Sequence, residues 1–238
     1  MKPVLFIDLE TIPAQTEIAK AIVTEGVKPP GNIKKQETID KWHRESKDAA
    51  IEKSILETSF DGLAGEIIVI GYAINDEPEQ VIYRKNCTET EMLQSFFNAI
   101  QEQSPDGTGL YTWCGHNAAK FDLPFLFKRC LVNRVMPPID MPRNPKAWDS
   151  NVFDTLFEIT GDIKTGGSLD RICKLLGIGQ KTQGMSGDKV WPEYQRGNIE
   201  KIANYCKDDV QLTREIYKRI QFSDSVVRTD IRSPFKAA

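Results

Sequence analysis

The order of elements predicted along the chain is that of one mixed β-sheet flanked by helices, α/β or α+β in class. Three observations carry this. A short apolar run, Val4-Leu5-Phe6-Ile7, stands at the start of the chain. A near-continuous β-branched run, EIIVIGYAI, follows at residues 66–74. Helical and extended patterns then alternate, ending in the longest helical pattern, residues 199–221.

Residues 3–10 (PVLFIDLE) read as a strand. Residues 14–58 are mixed and polar, and within them 38–57 predict a helix, with Ile39, Trp42, Ala49, Ile51, Ile55 and Leu56 at irregular helical spacing. Residues 66–74 and 80–84, separated by a turn at NDEP, predict a hairpin. Residues 88–103 are amphipathic behind a candidate threonine cap, hence a helix. Residues 109–117 (GLYTWCGHN) are the next strand. Residues 120–134 predict a helix that tolerates Pro124 in its first turn. A Pro-rich loop spans 135–150, and 152–159 read as a short strand running into a helix. Residues 168–178 form a helix between a Ser168 cap and a Gly177 stop. Residues 179–188 are a flexible Gly-rich loop, 199–221 are the clearest helix, and 223–238 are an extended or frayed tail. No linker and no repeat divides the chain, so residues 1–238 read as one domain with a helical insertion at 14–58.

Composition narrows the function classes. With 40% hydrophobic and 27% charged residues in 238, the chain is neither disordered nor fibrous. No apolar run approaches the ~20 residues of a membrane helix. The first ten residues are too short and too acidic an apolar segment for a signal peptide. Five widely spaced cysteines without a C-x-x-C argue against a disulfide framework and for a reducing, cytoplasmic compartment. Two histidines, His43 and His116, exclude multi-histidine metal sites. A net charge of −3 and a pI near 5.6 supply no global attraction for nucleic acid, so such a partner must be held locally or through metal ions.

Three acidic segments stand out. In Phe6-Ile7-Asp8-Leu9-Glu10-Thr11, strand alternation puts Asp8 and Glu10 on one face, with Cα atoms roughly 6.6 Å apart. Two carboxylates at the end of a buried strand repel and lose solvation, and a hard divalent cation compensates both. The alternative is a solvated strand end, and Glu89 and Glu91 repeat the acid-x-acid pattern at a polar helix start with no site implied. In the segment from Gly115 to Leu126, Asp122 sits at a helix N-terminus, where an aspartate is ordinarily a cap, and His116 reads as a turn histidine with its bonds satisfied. In Tyr205-Cys206-Lys207-Asp208-Asp209 the helical period discriminates. Cys206, Asp209, Thr213, Ile216 and Ile220 fall within about 40° of Ile202, whereas Asp208 points about 120° away. Asp209 therefore lies in the buried stripe, where a lone carboxylate costs several kcal/mol, and Tyr205 lies one turn before it.

Together the three segments resemble the exonuclease motifs of the DEDD superfamily. FIDLET resembles the first, D-x-E. GHNAAKFDLPFL resembles the second, N-x-x-x-F-D, in the form found in proofreading domains of family-B DNA polymerases. YCKDD resembles the third in its tyrosine form, since Asn204 stands where the histidine form needs a histidine. The approach from SLDRICKLLGI through the Gly-rich loop to VWPEYQRGNIEKIANYCKDDV is similar to that of stand-alone exonucleases related to the polymerase domain.

The resemblance implies a ribonuclease-H-like fold, a mixed five-stranded sheet flanked by helices. It implies hydrolysis of the terminal phosphodiester at a free 3′ end, with release of nucleoside monophosphates. Two divalent cations, Mg²⁺ or Mn²⁺, would be held by Asp8, Glu10, Asp122 and Asp209. Asp8 would bridge them, Glu10 and Asp209 would hold the nucleophile-side ion, Asp122 would support the other, and Tyr205 would orient the attacking water. Leu9, Thr11, Asn117 and Phe121 would contact the terminal nucleotide, Phe121 by stacking or by a wedge. Lys120, Arg129, Lys181 and Lys189 are candidates for phosphate contacts, each more simply a solvated charge. Asp154 is given a structural role at most, and Trp42, Trp113, Trp148 and Trp191 read as packing residues.

The expected protein is a free-standing enzyme acting on single-stranded DNA in preference to RNA, with no membrane partner. An exoribonuclease shares the same residues, because the 2′-hydroxyl contact cannot be read from sequence. A non-catalytic nucleic-acid-binding or interaction module is the alternative of another class, and it would be expected to lack one of the four carboxylates. No G-x-x-x-x-G-K-[ST] is present to support a nucleotide-binding loop.

Overall fold

The computed structural model describes residues 2–138, 140–161, 167–179 and 184–223. Every predicted strand pairs: β1 (Val4–Ile12), β2 (Glu66–Ile74), β3 (Gln80–Tyr83), β4 (Thr112–Gly115) and β5 (Val152–Asp154) form one sheet in the order β3-β2-β1-β4-β5. β2 runs antiparallel to β1 and β3, while β4 runs parallel to β1 and β5. β1 takes the central place, and its Leu5, Phe6 and Ile7 are buried on both faces.

The helices are α1 (Glu17–Gly26), α2 (Gln36–Glu45), α3 (Lys47–Glu57), α4 (Glu89–Glu102), α5 (Asp122–Asn133), α6 (Thr155–Thr160), α7 (Leu169–Leu176), α8 (Gly187–Gln195) and α9 (Ile199–Ile220). On one face Leu5, Ile7 and Leu9 of β1 pack into a core with Met92, Leu93 and Phe96 of α4 and Leu123 and Leu126 of α5. On the other, Phe6 meets Val210 of α9, and Ile12 meets Ile202, Tyr205 and Cys206. Gly71 sets how closely α9 approaches. A Cβ there would lie 2.8 Å from Cys206 Sγ and 3.0 Å from Val210 Cγ2, and Gly71 is the β2 residue paired with Asp8. The glycine inside an otherwise β-branched strand is therefore a contact point rather than a turn.

The insertion differs from its expected form. Residues 38–57 make two helices, α2 and α3, divided at Ser46, and a third helix, α1, precedes them. None of these helices has a buried residue. A short 3₁₀ turn at Thr58–Phe60 returns the chain to the sheet. Helix α8 was also not expected. Gly187 at its start and Pro192 inside it disguise its pattern, although Val190 and Glu193 are buried. Of the expected Gly-rich loop 179–188, residues 180–183 lie outside the described residues, as do 224–238 of the expected tail.

Helix α4 opens with a full Thr88–Glu91 capping box. The adjacent Glu89 turns inward. Its carboxylate accepts from Ile67 N of β2 (2.8 Å), Arg129 Nε (2.9 Å), Arg129 Nη2 (2.5 Å) and Asn133 Nδ2 (2.8 Å). Arg129, read from sequence as a possible phosphate contact, is 4% exposed and committed to this pair, so that role is excluded by burial. The pair ties α4 and α5 to β2. Removing one member strands the other charge, so Arg129→Met lowers the unfolding free energy by about 3–5 kcal/mol in urea denaturation. A loss under about 1 kcal/mol would show that the pair does not hold these elements together.

Candidate active site

At the C-terminal half of β1 the two acidic residues share a face as expected. Asp8 is half-buried and Glu10 is 6% exposed, just before a bulge in the β1–β2 pairing at Glu10/Thr11. Helix α9 reaches the same place from across the sheet, and the Cys206 thiol donates to the Asp8 carbonyl at 3.4 Å. The ligating atoms of Asp8, Glu10 and Cys206 all lie within 4.8 Å of one another. Cys206 was not singled out by the sequence reading. Burial, and after it the neighbouring carboxylates, push its thiol well above the usual range.

Asp122 does not cap its helix. Phe121 holds the cap position, without a side-chain cap bond, and Asp122 is the first residue of α5. Its Oδ1 instead accepts from Leu9 N of β1 at 3.0 Å, locking α5 to the strand between Asp8 and Glu10. Burial pushes its carboxyl up to about 7, against the lowering effect of the Leu9 and Asp122 N–H groups, with Asp154 and Asp209 adding repulsion. Asp209 on α9 is 4% exposed, as the helical stripe predicted, and the partly exposed Asp208 lies outside it. Tyr205, one turn before Asp209, hydrogen-bonds to its carboxylate. Burial raises the Tyr205 phenol far above its usual value, and Asp209, Glu10 and Asp8 raise it further. These mutual influences bring Asp8, Glu10, Asp122, Asp209 and Tyr205 to one place, from one strand and two helices.

Asp154 is buried and held otherwise. Oδ1 accepts from Asn117 N (3.0 Å), Leu156 N (3.0 Å) and Phe157 N (3.3 Å), and Oδ2 accepts from Ala119 N (3.0 Å). It caps α6 and latches the loop that leads to Asp122, the structural role expected of it. Asn117 sits in that loop at φ 66, a left-handed conformation that asparagine tolerates. His116 is a satisfied turn histidine, Nδ1 facing Thr155 Oγ1 at 2.9 Å and Nε2 facing Gly167 O at 2.6 Å.

The remaining predicted residues are placed as follows. The Leu9 side chain is in the core, 5% exposed. Thr11 is half-buried and donates its hydroxyl to Ser59 O at 2.7 Å. Phe121 is half-buried, with its ring centroid 5.6 Å from Phe125 and 6.2 Å from Phe60. Lys120 is exposed, Lys189 donates to Gly184 O at 3.0 Å, and Lys181 lies outside the described residues. Of the tryptophans, Trp113 is fully buried, and Trp42 and Trp191 are half-buried. Trp148 is 67% exposed and corrects the packing expectation, since it rests only on the Phe157 ring at the surface.

The donors at this site are hard carboxylate oxygens, concentrated, like-charged and mostly desolvated. Burial is the main cause of the raised Asp122 carboxyl, and the charges of Asp154 and Asp209 add to it. Divalent oxygen-seeking cations match that donor set and soft metals do not. Among the described residues no helix is long and apolar enough to cross a membrane.

The chain resembles known proteins in sequence and in fold. A family model described as a predicted 3′–5′ exonuclease related to the exonuclease domain of PolB matches residues 66–233. A DNA polymerase of Archaeoglobus fulgidus is 26% identical over 167 residues, which is 65% of this chain and 20% of the polymerase. The structure is similar to that of the family B DNA polymerase of Pyrobaculum calidifontis, with a TM-score of 0.57 and 17% identity. That likeness covers 93% of this chain and 25% of the polymerase. The chain thus spans a fifth to a quarter of the length of these relatives.

In metal-free protein, the stability from Asp122 falls as pH rises from 5 to 8. Its folded carboxyl titrates at about 7 and its unfolded one near ~3.9. Between those values the folded state keeps a proton that the unfolded state has lost, so the contribution is complete below the lower value and gone above the higher. Thermal unfolding in EDTA across that range checks this. Asp122→Asn, which keeps an acceptor for Leu9 N, flattens the slope, and Mg²⁺ raises the wild-type midpoint most at pH 8. Equal slopes for the two proteins would refute the assignment.

Proposed function

The chain belongs to the family of predicted 3′–5′ exonucleases related to the exonuclease domain of PolB, and we propose that it is a metal-dependent enzyme that shortens single-stranded DNA from its 3′ end. The fold expected from sequence, a ribonuclease-H-like mixed five-stranded sheet with flanking helices, is the fold of the structure. The observation that carries the proposal is the convergence of Asp8, Glu10, Asp122, Asp209 and Tyr205 at the C-terminal half of the central strand. The family match begins at residue 66, so Asp8 and Glu10 join the proposal through geometry rather than through the matched segment. Preference for DNA is supported by the two relatives, both DNA polymerases by name.

On this reading Asp8, Glu10, Asp122 and Asp209 hold two divalent cations, Mg²⁺ or Mn²⁺. When bound, these supply an acidified water and charge stabilisation at the scissile phosphate and the leaving oxygen. Water adds to the terminal phosphorus, the bond to O3′ of the preceding nucleotide breaks, and a nucleoside 5′-monophosphate leaves. Tyr205 keeps its proton at any physiological pH, so it acts as a hydrogen-bond donor that orients rather than as a base. The Asp122–Leu9 bond fixes one carboxylate relative to the strand that bears two others, which limits how far they can separate when repelled. The residues span one domain, with 14–58 as an insertion. All five cysteines are free and four are buried, which supports a reducing, cytoplasmic setting.

A degradation assay on matched 5′-labelled single-stranded DNA and RNA, with Mg²⁺, Mn²⁺ or EDTA, tests the proposal. The expected result is a metal-dependent ladder shortening from the 3′ end, faster on DNA, and abolished in Asp8→Ala and Asp209→Ala. No cleavage of either strand, with binding retained, would sink the enzyme reading in favour of a binding module. Tyr205→Phe lowers kcat by roughly 10²-fold while KM changes little. An unchanged kcat in that variant would remove Tyr205 from the mechanism.

A further inference from the structure

The connection between β1 and β2 presents an aromatic side chain that neither the fold nor the carboxylate site uses. Phe60 is 74% exposed, at the end of the 3₁₀ turn Thr58–Phe60. A phenylalanine so exposed contributes nothing to a core. Yet its backbone is held as firmly as a core element. Thr58 Oγ1 accepts from Ala14 N at 2.7 Å and donates to Ile55 O at 2.5 Å. Thr11 Oγ1, on the strand of Asp8 and Glu10, donates to Ser59 O at 2.7 Å.

The far side of the turn is fastened as well. A Cβ on Gly65 would lie 2.3 Å from Thr58 O and 2.9 Å from Ile12 O, so the loop closes against β1 only with glycine there. A Cβ on Gly62 would lie 2.9 Å from Phe125 O, and Arg129 Nη1 donates to Gly62 O at 3.3 Å, so the same loop is seated on α5. Phe60 is thus displayed from a mount bolted to β1 and α5, two of the three elements that carry the acidic site. Its ring faces Phe121 at 6.2 Å, tilted by 56°, and Phe121 is the residue before Asp122. Leu63, in the same loop, is 57% exposed and extends the apolar surface.

We propose that Phe60, together with Phe121, forms a stacking platform for the bases at the 3′ end of a single strand entering the carboxylate site. This rests on the exonuclease reading and adds a substrate contact from the connection between β1 and β2, outside the family-matched segment. Base–aromatic stacking is sequence-tolerant, and a ring fixed in advance loses little freedom when a base covers it. The platform therefore selects unpaired, unstacked ends and not a particular sequence.

The test compares wild type with Phe60→Ala and Phe60→Trp, each checked for an unchanged thermal midpoint. Cleavage is measured with Mg²⁺ on a 5′-labelled 12-mer oligothymidylate and on the same oligonucleotide with abasic sites at its last three positions. Binding of both is measured by fluorescence anisotropy with Ca²⁺. Phe60→Ala is expected to raise KM and Kd for the normal strand about tenfold, with kcat little changed. Phe60→Trp restores both, and the variants do not differ from wild type on the abasic strand. Equal values for Phe60→Ala and wild type on the normal strand, or an equal loss on the abasic strand, overturn the platform. If wild type cleaves nothing, the exonuclease reading fails by itself, and anisotropy still decides whether Phe60 binds bases.

Discussion

Like charge crowded into a poorly solvated place is the constraint around which this molecule is arranged. Asp122 and Asp209 are each 4% exposed and Glu10 is 6% exposed, with Asp8 only half-covered beside them. Left to electrostatics, these groups would separate or take up protons, and the Asp122 carboxyl, raised to about 7, is part of the way there. Keeping them together requires that the backbone elements beneath them cannot yield. The structure meets that requirement with bonds that fasten the elements, one of them made by the Asp122 carboxylate itself.

Each acidic residue stands on a separately fastened support. β1 is held by β2 on one side and β4 on the other. Helix α5 is tied to β1 through Asp122 itself and to β2 and α4 through the Glu89–Arg129 pair. Helix α9 is laid against the sheet at Gly71, the partner of Asp8 across the β1–β2 pairing. The loop before Asp122 is latched by Asp154, whose two oxygens take four backbone N–H groups. That last carboxylate accepts from four backbone N–H groups, whereas the similarly buried Asp122 is reached by the N–H groups of Leu9 and of Asp122 itself.

The parts of this arrangement visible in the sequence were those with a period or a short-range signature. Strand alternation paired Asp8 with Glu10, and the helical repeat put Asp209 in an apolar stripe with Tyr205 beside it, as the structure has them. Local rules misread Asp122 as a cap, since nothing nearby in sequence reveals an N–H of Leu9, 113 residues away. Arg129 looked like a surface cation for the same reason: its partner Glu89 is 40 residues upstream on another helix. Helices α1 to α3 bury no residue, and the break between α2 and α3 at Ser46 carries no Gly or Pro to mark it, while α8 hides behind Gly187 and Pro192. Periodicity reports which face is buried, and long-range polar bonds lie outside its reach.

The thiol of Cys206 meets the carbonyl of Asp8 across 198 residues of chain. That separation governs the order in which the molecule can be made. The first acidic residues leave the ribosome long before α9 exists, and at ordinary elongation rates the interval is about 10–40 s. During it the apolar segment Val4–Ile7 has neither its helix nor, at first, its neighbouring strands. Contacts of such high sequence separation form late, after the chain has met the loop-closure cost. The nascent polypeptide is therefore short of Asp209 and Tyr205 until nearly all of these residues have been added, and the same feature leaves its central strand uncovered for as long. Birth is the period in which this protein most needs protection from aggregation, and in which its acidic site cannot yet act.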